Sequence, residues 1–193
     1  MIEPARVYAV TLAAGLARRF GADKLAAPCD DGTVVDAALA PLEPFEWLGR
    51  AVVAADGRFV PGLTVIANHA PERGMGHSLS LAAGAADKVG ADYLLVTLGD
   101  MPRISPATIT RLLEACPDRP DALAACQPVD AAPGPPALFG RGWFGRLQSA
   151  DGDKGARGWL RDPANGAALV RLPAEEALDI DTPADLEAMR GLA

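Results

Sequence analysis

The sequence predicts an α/β fold, in which a mostly parallel β-sheet lies between two layers of helices. Short apolar segments, partly β-branched, recur along the chain and are typical of strands buried on both faces, as at residues 7–12 and 93–98. Segments with helical spacing of apolar residues alternate with these strands. Glycine-containing loops follow several of them, and ligands of such sheets bind beyond the carboxyl ends of the strands.

The predicted strands are bounded by turn residues and by helix-start signals. We predict strands at residues 7–12, 50–55, 63–67, 93–98, 122–127, 137–139 and 168–172. Asp56 and Gly57 predict a turn between the second and third strands. These two strands lie too close together for a crossover helix, so one of them is expected to be an edge or antiparallel strand. Residues 130–136 are rich in proline and glycine and are predicted to form a loop.

The predicted helices begin at recognisable caps. Ser105 is followed by Pro106 at the first helical position, which is a strong start signal. Thr33 and Thr182 are further N-cap candidates, and Asp185 completes a pattern close to a capping box. We predict helices at residues 33–42, 78–89, from 106, 143–147, 155–160 and from 183.

Length and composition bound the class of protein. The 193 residues are half apolar and show no repeat or linker, which predicts one folded domain spanning residues 1–193. The net charge of −7 argues against general nucleic-acid binding, which needs clustered cations. Three cysteines without a Cys-x-x-Cys pair argue against a disulfide framework or structural zinc site.

The sequence also predicts a cytosolic location. No run of 18 apolar residues exists, so no transmembrane helix and no membrane partner are expected. Residues 7–17 are apolar, but they lack a preceding basic region of the kind found in signal peptides. We therefore interpret this segment as the first strand of a cytoplasmic protein.

The segment after the first strand, Leu-Ala-Ala-Gly at residues 12–15, is followed by the cations Arg18, Arg19 and Lys24. Small residues let backbone N–H groups approach an anion, and cations behind them neutralise it, so this segment predicts a phosphate-binding loop. Five residues separate Gly15 from Gly21, which excludes a Walker A loop. No glycine stands two residues after Gly15, which excludes the Gly-x-Gly-x-x-Gly fingerprint of dinucleotide-binding proteins.

The pattern Leu-Ala-Ala-Gly-x-x-x-Arg-x-Gly-x-x-Lys, at residues 12–24, resembles the first signature of MobA/MocA-like nucleotidyltransferases. The resemblance extends from about residue 7 to residue 189. It implies a three-layer αβα Rossmann-like fold. It also implies that Arg19 and Lys24 hold the triphosphate, and that the nucleotide contacts Leu12, Ala13, Ala14 and Gly15.

Asp100 is the first candidate for metal binding. It follows a buried strand and Gly99, and Mg²⁺ prefers one or two carboxylates together with water and substrate phosphates. The alternative is that Asp100 starts a turn. Leu-Gly-Asp-Met-Pro at residues 98–102 resembles the second signature of the family, in which this aspartate is a metal ligand.

Two further segments complete the resemblance on the nucleotide and metal side. Asp-Ile-Asp-Thr-Pro at residues 179–183 resembles a third signature and implies Asp181 as a second metal-facing group, with Asp179 as the alternative. Gly-Met-Gly-His-Ser-Leu at residues 74–79 resembles the base-binding loop of the MocA branch. That loop implies nucleotide contacts from Gly74, Met75, Ser78 and Leu79.

The acceptor side is implied by two segments of the C-terminal half. Gly-Pro-Pro-Ala-Leu-Phe at residues 134–139 and Gly-Asp-Lys-Gly-Ala-Arg at residues 152–157 resemble MocA-like members. They imply that Gly134, Asp153 and Arg157 lie near the acceptor. Pro135 departs from the polar residue common at its position, so base and acceptor identity stay open.

The resemblance implies an Mg²⁺-dependent enzyme that transfers a nucleoside monophosphate from an NTP, best assigned as CTP, to molybdopterin with release of pyrophosphate. Its product would pass to a molybdoenzyme or the chaperone of one. The alternatives are a MobA-type guanylyltransferase, a nucleotidyltransferase acting on another small phosphorylated acceptor, and a non-catalytic nucleotide-binding protein. A phosphate acceptor is already an ionised nucleophile, which agrees with the absence of a nucleophile–base motif.

Overall fold

The structure is a computed structural model that describes residues 1–15, 20–29, 32–55 and 60–190. Arg18, Arg19 and the predicted turn at Asp56 and Gly57 lie outside these residues. In the described part of the chain, no helix is both long enough and apolar enough to cross a membrane.

The described residues form a seven-stranded sheet and a small two-stranded one. The strands are β1 (Val7–Ala13), β2 (Pro28–Cys29), β3 (Gly32–Thr33), β4 (Gly49–Ala55), β5 (Thr64–Asn68), β6 (Tyr93–Leu98), β7 (Leu123–Pro128), β8 (Gly134–Gly140) and β9 (Ala168–Leu172). The order in the large sheet is β5-β4-β1-β6-β8-β7-β9. Neighbours are parallel except β8, which runs antiparallel to β6 and β7. The predicted mostly parallel sheet is confirmed, and β5 is a parallel edge strand.

Helices cover both faces of the sheet, which confirms the predicted three layers. They are α1 (Val34–Leu39), α2 (Met75–Lys88), α3 (Pro106–Ala115), α4 (Phe144–Gln148), α5 (Arg157–Arg161) and α6 (Pro183–Arg190). The first layer contains α2, α4 and α5, and the opposite layer contains α1, α3 and α6. Alternate residues of β1 face the two layers, as Val10 packs with the α2 side and Ala9 with the α3 side.

The predicted caps are present. The Ser105 hydroxyl accepts a hydrogen bond from the Thr108 backbone N–H at 3.2 Å. Asp185 Oδ2 accepts from the Thr182 N–H at 2.6 Å, while Thr182 Oγ1 accepts from the Asp185 N–H at 3.3 Å, which is a capping box. The buried Glu176 carboxylate accepts from the Ser105 N–H at 3.0 Å and from the Thr108 hydroxyl at 2.6 Å. Glu176 thereby ties the segment before α6 to the start of α3.

Two element boundaries differ from the predictions. Helix α2 begins at Met75 instead of residue 78, because Gly74 adopts a φ of +86° and ends the preceding turn. Strand β8 begins at Gly134, so the prediction of a loop through residues 134–136 was wrong. Proline lacks an N–H and cannot donate to a regular ladder. The start of β8 tolerates two prolines because the β7–β8 pairing is already irregular there, with a change of register between Ala125 and Cys126.

Candidate active site

A cleft of about 410 Å³ opens beyond the carboxyl ends of β1 and β6. This is the edge at which ligands of parallel sheets bind. Most of the residues predicted to form the site line it, namely Leu12, Ala14, Gly15, Lys24, Gly74, Met75, Ser78, Asp100, Asp153 and Asp181. Residues from six separate segments of the chain therefore converge on one cleft.

Lys24 lies between two carboxylates at the floor of the cleft. Its Nζ is 2.7 Å from Asp100 Oδ2 and 3.2 Å from Asp181 Oδ1. The Lys24 side chain is only 8% exposed, whereas those of Asp100 and Asp181 are 25% and 37% exposed. A buried ammonium is thus neutralised by two carboxylates that also reach the solvent-filled cleft.

Backbone hydrogen bonds bring these three side chains together. The Gly99 N–H donates to the Leu12 carbonyl at 2.9 Å, which extends the β1–β6 pairing to the residue before Asp100. A Cβ at Gly99 would lie 3.2 Å from the Ala13 Cβ, so glycine permits this close approach. The Ile180 N–H donates to the Asp100 carbonyl at 2.9 Å and places the 179–181 segment beside it.

The charges of this cluster alter two pKa values. Burial alone lowers the pKa of the Lys24 ammonium, but the hydrogen bonds and charges of Asp100 and Asp181 outweigh it and leave the pKa raised. Burial, with Asp100 and Asp181 nearby, raises the pKa of Asp179 to about 6. Lys24 is therefore a firmly charged ammonium, and the Asp179 carboxyl is a weaker acid than an ordinary aspartate.

The donor set suits a hard divalent cation. Asp100 and Asp181 converge on one positive charge, that of the Lys24 ammonium, and oxygen ligands are those that Mg²⁺ and Mn²⁺ prefer. Within the described residues, no three Asp, Glu, His or Cys side chains gather closely enough to hold a metal alone. Further ligands would come from water and substrate phosphates, as is usual for Mg²⁺.

The segment predicted to bind the base, residues 74–76, packs directly against residues 151–155. The Gly76 N–H donates to the Gly152 carbonyl at 2.7 Å. Arg73 lies 3.2 Å from the carboxylate of Asp151. A Cβ at Gly76 would lie 2.6–2.7 Å from the backbone of Asp151, so this position has no room for a side chain. The start of α2 and the 151–155 segment thus form one wall of the cleft.

We expect Gly76→Ala to open this wall. Overpacking against an unyielding backbone costs about 1–3 kcal/mol, so the variant should melt at a lower temperature and bind nucleotide more weakly. Gly84→Ala is the matched control, since Gly84 lies in the same helix with open space at its Cβ. That control should melt at the wild-type temperature or above it. Equal melting temperatures and nucleotide affinities in the two variants would contradict the packing account.

The predicted acceptor residues lie around a second, smaller cavity. This cavity measures about 30 Å³, adjoins the cleft at Leu12 and Met75, and is lined by apolar side chains with Lys154 and Arg157. Arg157 and Pro135 line it, whereas Asp153 lines the main cleft. Gly134 stands next to Pro135 at the start of β8.

Two predicted nucleotide contacts lie apart from the main cleft. Ala13 packs in the core with α1 and α6. Leu79 is buried and lines the smaller cavity. The predicted role of Arg19 lies outside the described residues.

The sequence reasoning missed three polar or turn residues at this edge. Pro71 and Glu72 line the cleft beside Gly74. Asn68 ends β5 and is fully buried, where it donates a hydrogen bond to Ser78 at 3.0 Å. The available signal was a polar residue at the carboxyl end of a predicted strand, the same feature that pointed to Asp100.

Comparison with known proteins decides the family. Residues 9–169 match the profile of the MobA-like NTP transferase domain. The chain belongs to the MobA-like NTP transferase family. It is accordingly a nucleotidyltransferase, and the predicted resemblance is confirmed.

Two curated relatives and one solved structure are similar to this MobA-like chain. It is 29% identical to the purine catabolism protein PucB of Bacillus subtilis over 199 residues, covering 94% of each chain. It is 37% identical over 134 residues to the phosphoenolpyruvate guanylyltransferase of Sphaerobacter thermophilus, covering 64% of this chain and 58% of the relative. The crystal structure of Rv0371c from Mycobacterium tuberculosis, in complex with manganese, superposes with a TM-score of 0.80 at 24% identity, covering 97% and 99% of the chains.

Proposed function

We propose that this nucleotidyltransferase transfers CMP from CTP to molybdopterin, a phosphorylated acceptor, and releases pyrophosphate. The observation that carries the proposal is the Lys24 ammonium held between Asp100 and Asp181 beside the exposed Gly15. Phosphoryl-group displacement needs alignment and charge neutralisation more than covalent catalysis. These residues supply both at the edge of the sheet.

In this proposal the chain divides the work between its two cleft walls. Lys24 neutralises the triphosphate and the departing pyrophosphate, while the small residues Ala14 and Gly15 let backbone approach the phosphates. Pro71, Met75 and Ser78 enclose the base. The described residues that line the cleft include four carboxylates but one lysine, so their summed charge is negative. This negative charge supports a requirement for a divalent cation before a polyanion can bind.

Asp100 and Asp181 would hold that cation, which we assign as Mg²⁺. When bound, such a cation polarises phosphate oxygens as a Lewis acid and neutralises developing charge. The manganese complex of the structural neighbour is consistent with a divalent metal in this fold.

The acceptor assignment rests on the smaller cavity and on the motifs. Lys154 and Arg157 line this cavity of about 30 Å³ and favour an anionic group of the acceptor, the rest of which must lie outside the cavity. Leu-Ala-Ala-Gly and Gly-Asp-Lys-Gly-Ala-Arg are typical of the MocA branch, which favours cytidylyl transfer and delivery of the product to a molybdoenzyme. The guanylyltransferase relative favours a second candidate, guanylyl transfer to a small phosphorylated acid.

A thermal-shift panel tests the nucleotide assignment. ATP, CTP, GTP and UTP are each added with and without Mg²⁺, and CTP with Mg²⁺ should give the largest shift. A ligand at 100 times its dissociation constant adds about 2.7 kcal/mol of stability. A larger shift with GTP would move the protein to the guanylyltransferase alternative, and no shift with any nucleotide would overturn the proposal.

Pyrophosphate release with molybdopterin, compared with phosphoenolpyruvate, then tests the acceptor.

A further inference from the structure

A short hydrogen-bond chain leads from the backbone to the base side of the cleft. Asn68 is completely buried at the end of β5. Its Oδ1 accepts from the Ala70 backbone N–H at 3.0 Å, and its Nδ2 donates to the Ser78 hydroxyl oxygen at 3.0 Å. Ser78 lies in the first turn of α2, is 6% exposed and lines the cleft.

The polarity of this chain is determined at its first link. A backbone N–H can only donate, so the Asn68 atom facing Ala70 must be the amide oxygen. The amide nitrogen therefore faces Ser78, and it can only donate. The Ser78 oxygen is thus an acceptor for Asn68, and its own hydrogen must point elsewhere. Among the described residues, no group accepts a hydrogen bond from that hydroxyl.

We infer that Ser78 presents a hydrogen-bond donor to the nucleotide base, and that Asn68 is the positioning residue that imposes this polarity through the Ala70–Asn68–Ser78 chain. The inference rests on the proposed function, because it assumes that a base occupies this side of the cleft. A base that turns a carbonyl oxygen or ring nitrogen toward Ser78 is accepted. A base that turns an amino group toward Ser78 can use only the remaining lone pair of the oxygen and leaves the hydroxyl hydrogen without a partner, so it binds more weakly.

Asn68→Asp reverses the polarity without changing the shape. One oxygen of the introduced carboxylate would still accept from Ala70, and the other would accept from the Ser78 hydroxyl, which would then offer only lone pairs to the base. We expect this variant to bind CTP with Mg²⁺ about tenfold more weakly or worse, since a donor is replaced by an acceptor facing an acceptor. Inorganic triphosphate with Mg²⁺, which has no base, should bind within about twofold of wild type.

Isothermal titration calorimetry measures the CTP affinity of wild type, Ser78→Ala, Asn68→Asp and the double variant. The comparison shows whether Asn68 acts by orienting the Ser78 hydroxyl or only by supporting the local structure. If Asn68 acts through Ser78, the double variant should bind CTP no more weakly than Ser78→Ala alone. Asn68→Ala is the reserve variant should the aspartate destabilise the fold, and it should lose CTP affinity but spare inorganic triphosphate. Thr97→Val, which breaks the buried Thr97–Thr11 hydroxyl pair of 2.8 Å outside the cleft, should leave both ligands unaffected.

Three outcomes would overturn the inference. They are equal loss of CTP and inorganic triphosphate affinity in Asn68→Asp, unchanged CTP affinity in that variant, and a double variant weaker than Ser78→Ala. The series uses whichever of CTP and GTP the wild type binds more tightly, so a wrong base assignment alone leaves this test intact. Binding of no nucleotide by the wild type would overturn the proposed function and the inference together.

Discussion

Asp100→Asn should slow nucleotidyl transfer by about 10³-fold while the protein remains folded. The substitution keeps the size of the side chain but removes the negative charge that faces both Lys24 and the cleft. Losing about 4 kcal/mol of charge stabilisation at the reacting phosphate corresponds to a roughly 10³-fold lower kcat. Steady-state pyrophosphate release measures the rate, and the Mg²⁺-dependent part of the thermal shift with CTP should disappear as well.

Asp92→Asn is the matched control for this prediction. Asp92 stands just before β6, as Asp100 stands just after it, and it accepts a hydrogen bond from Arg6 Nε at 2.9 Å at the opposite edge of the sheet. Its loss removes a partly exposed ion pair worth about 1 kcal/mol at most. The control should retain wild-type kcat and metal dependence. An active Asp100→Asn enzyme with unchanged metal response would remove Asp100 from the proposed site.

Lys24→Met should impair turnover and, at the same time, strengthen metal binding to the free protein. The ammonium neutralises the same carboxylate oxygens, on Asp100 and Asp181, that a divalent cation needs. Without that charge, stabilisation of the phosphates is lost and kcat should fall by about 10²–10³-fold. Mn²⁺ added without nucleotide should bind the variant at least about tenfold more tightly, because its competitor is gone.

Thermal melts across an Mn²⁺ titration report the second effect independently of activity. In EDTA the variant should melt below wild type, since Asp100 and Asp181 repel each other once the lysine charge is removed. Saturating Mn²⁺ should close much of that gap. Lys88→Met, at the exposed end of α2, should follow wild type throughout. A variant whose melting temperature does not respond to Mn²⁺ would separate Lys24 from the proposed metal position.

The local pattern of the chain predicted most of the elements. Residues 93–98 form β6 with the predicted bounds because a fully apolar, partly β-branched run has one low-energy place in a three-layer fold. Thr33, Ser105 and Thr182 cap their helices as expected, because a cap depends on a few neighbouring residues. The start of α2 and the extent of β8 were less predictable, since packing and pairing with distant segments decide them.

The amino-acid sequence by itself determined which chemistry the chain carries: a small-residue loop with Lys24, Asp100 at the end of a strand, and Asp181 before the last helix. Only the tertiary structure decided that Lys24 contacts both aspartates, although Asp181 is 157 residues away in the sequence. It also decided that Asn68 donates a hydrogen bond to Ser78. The sequence shows that a polar residue follows the predicted strand, but it does not show which side chain that residue contacts. Motifs are local, whereas distances across a sheet depend on register and strand order.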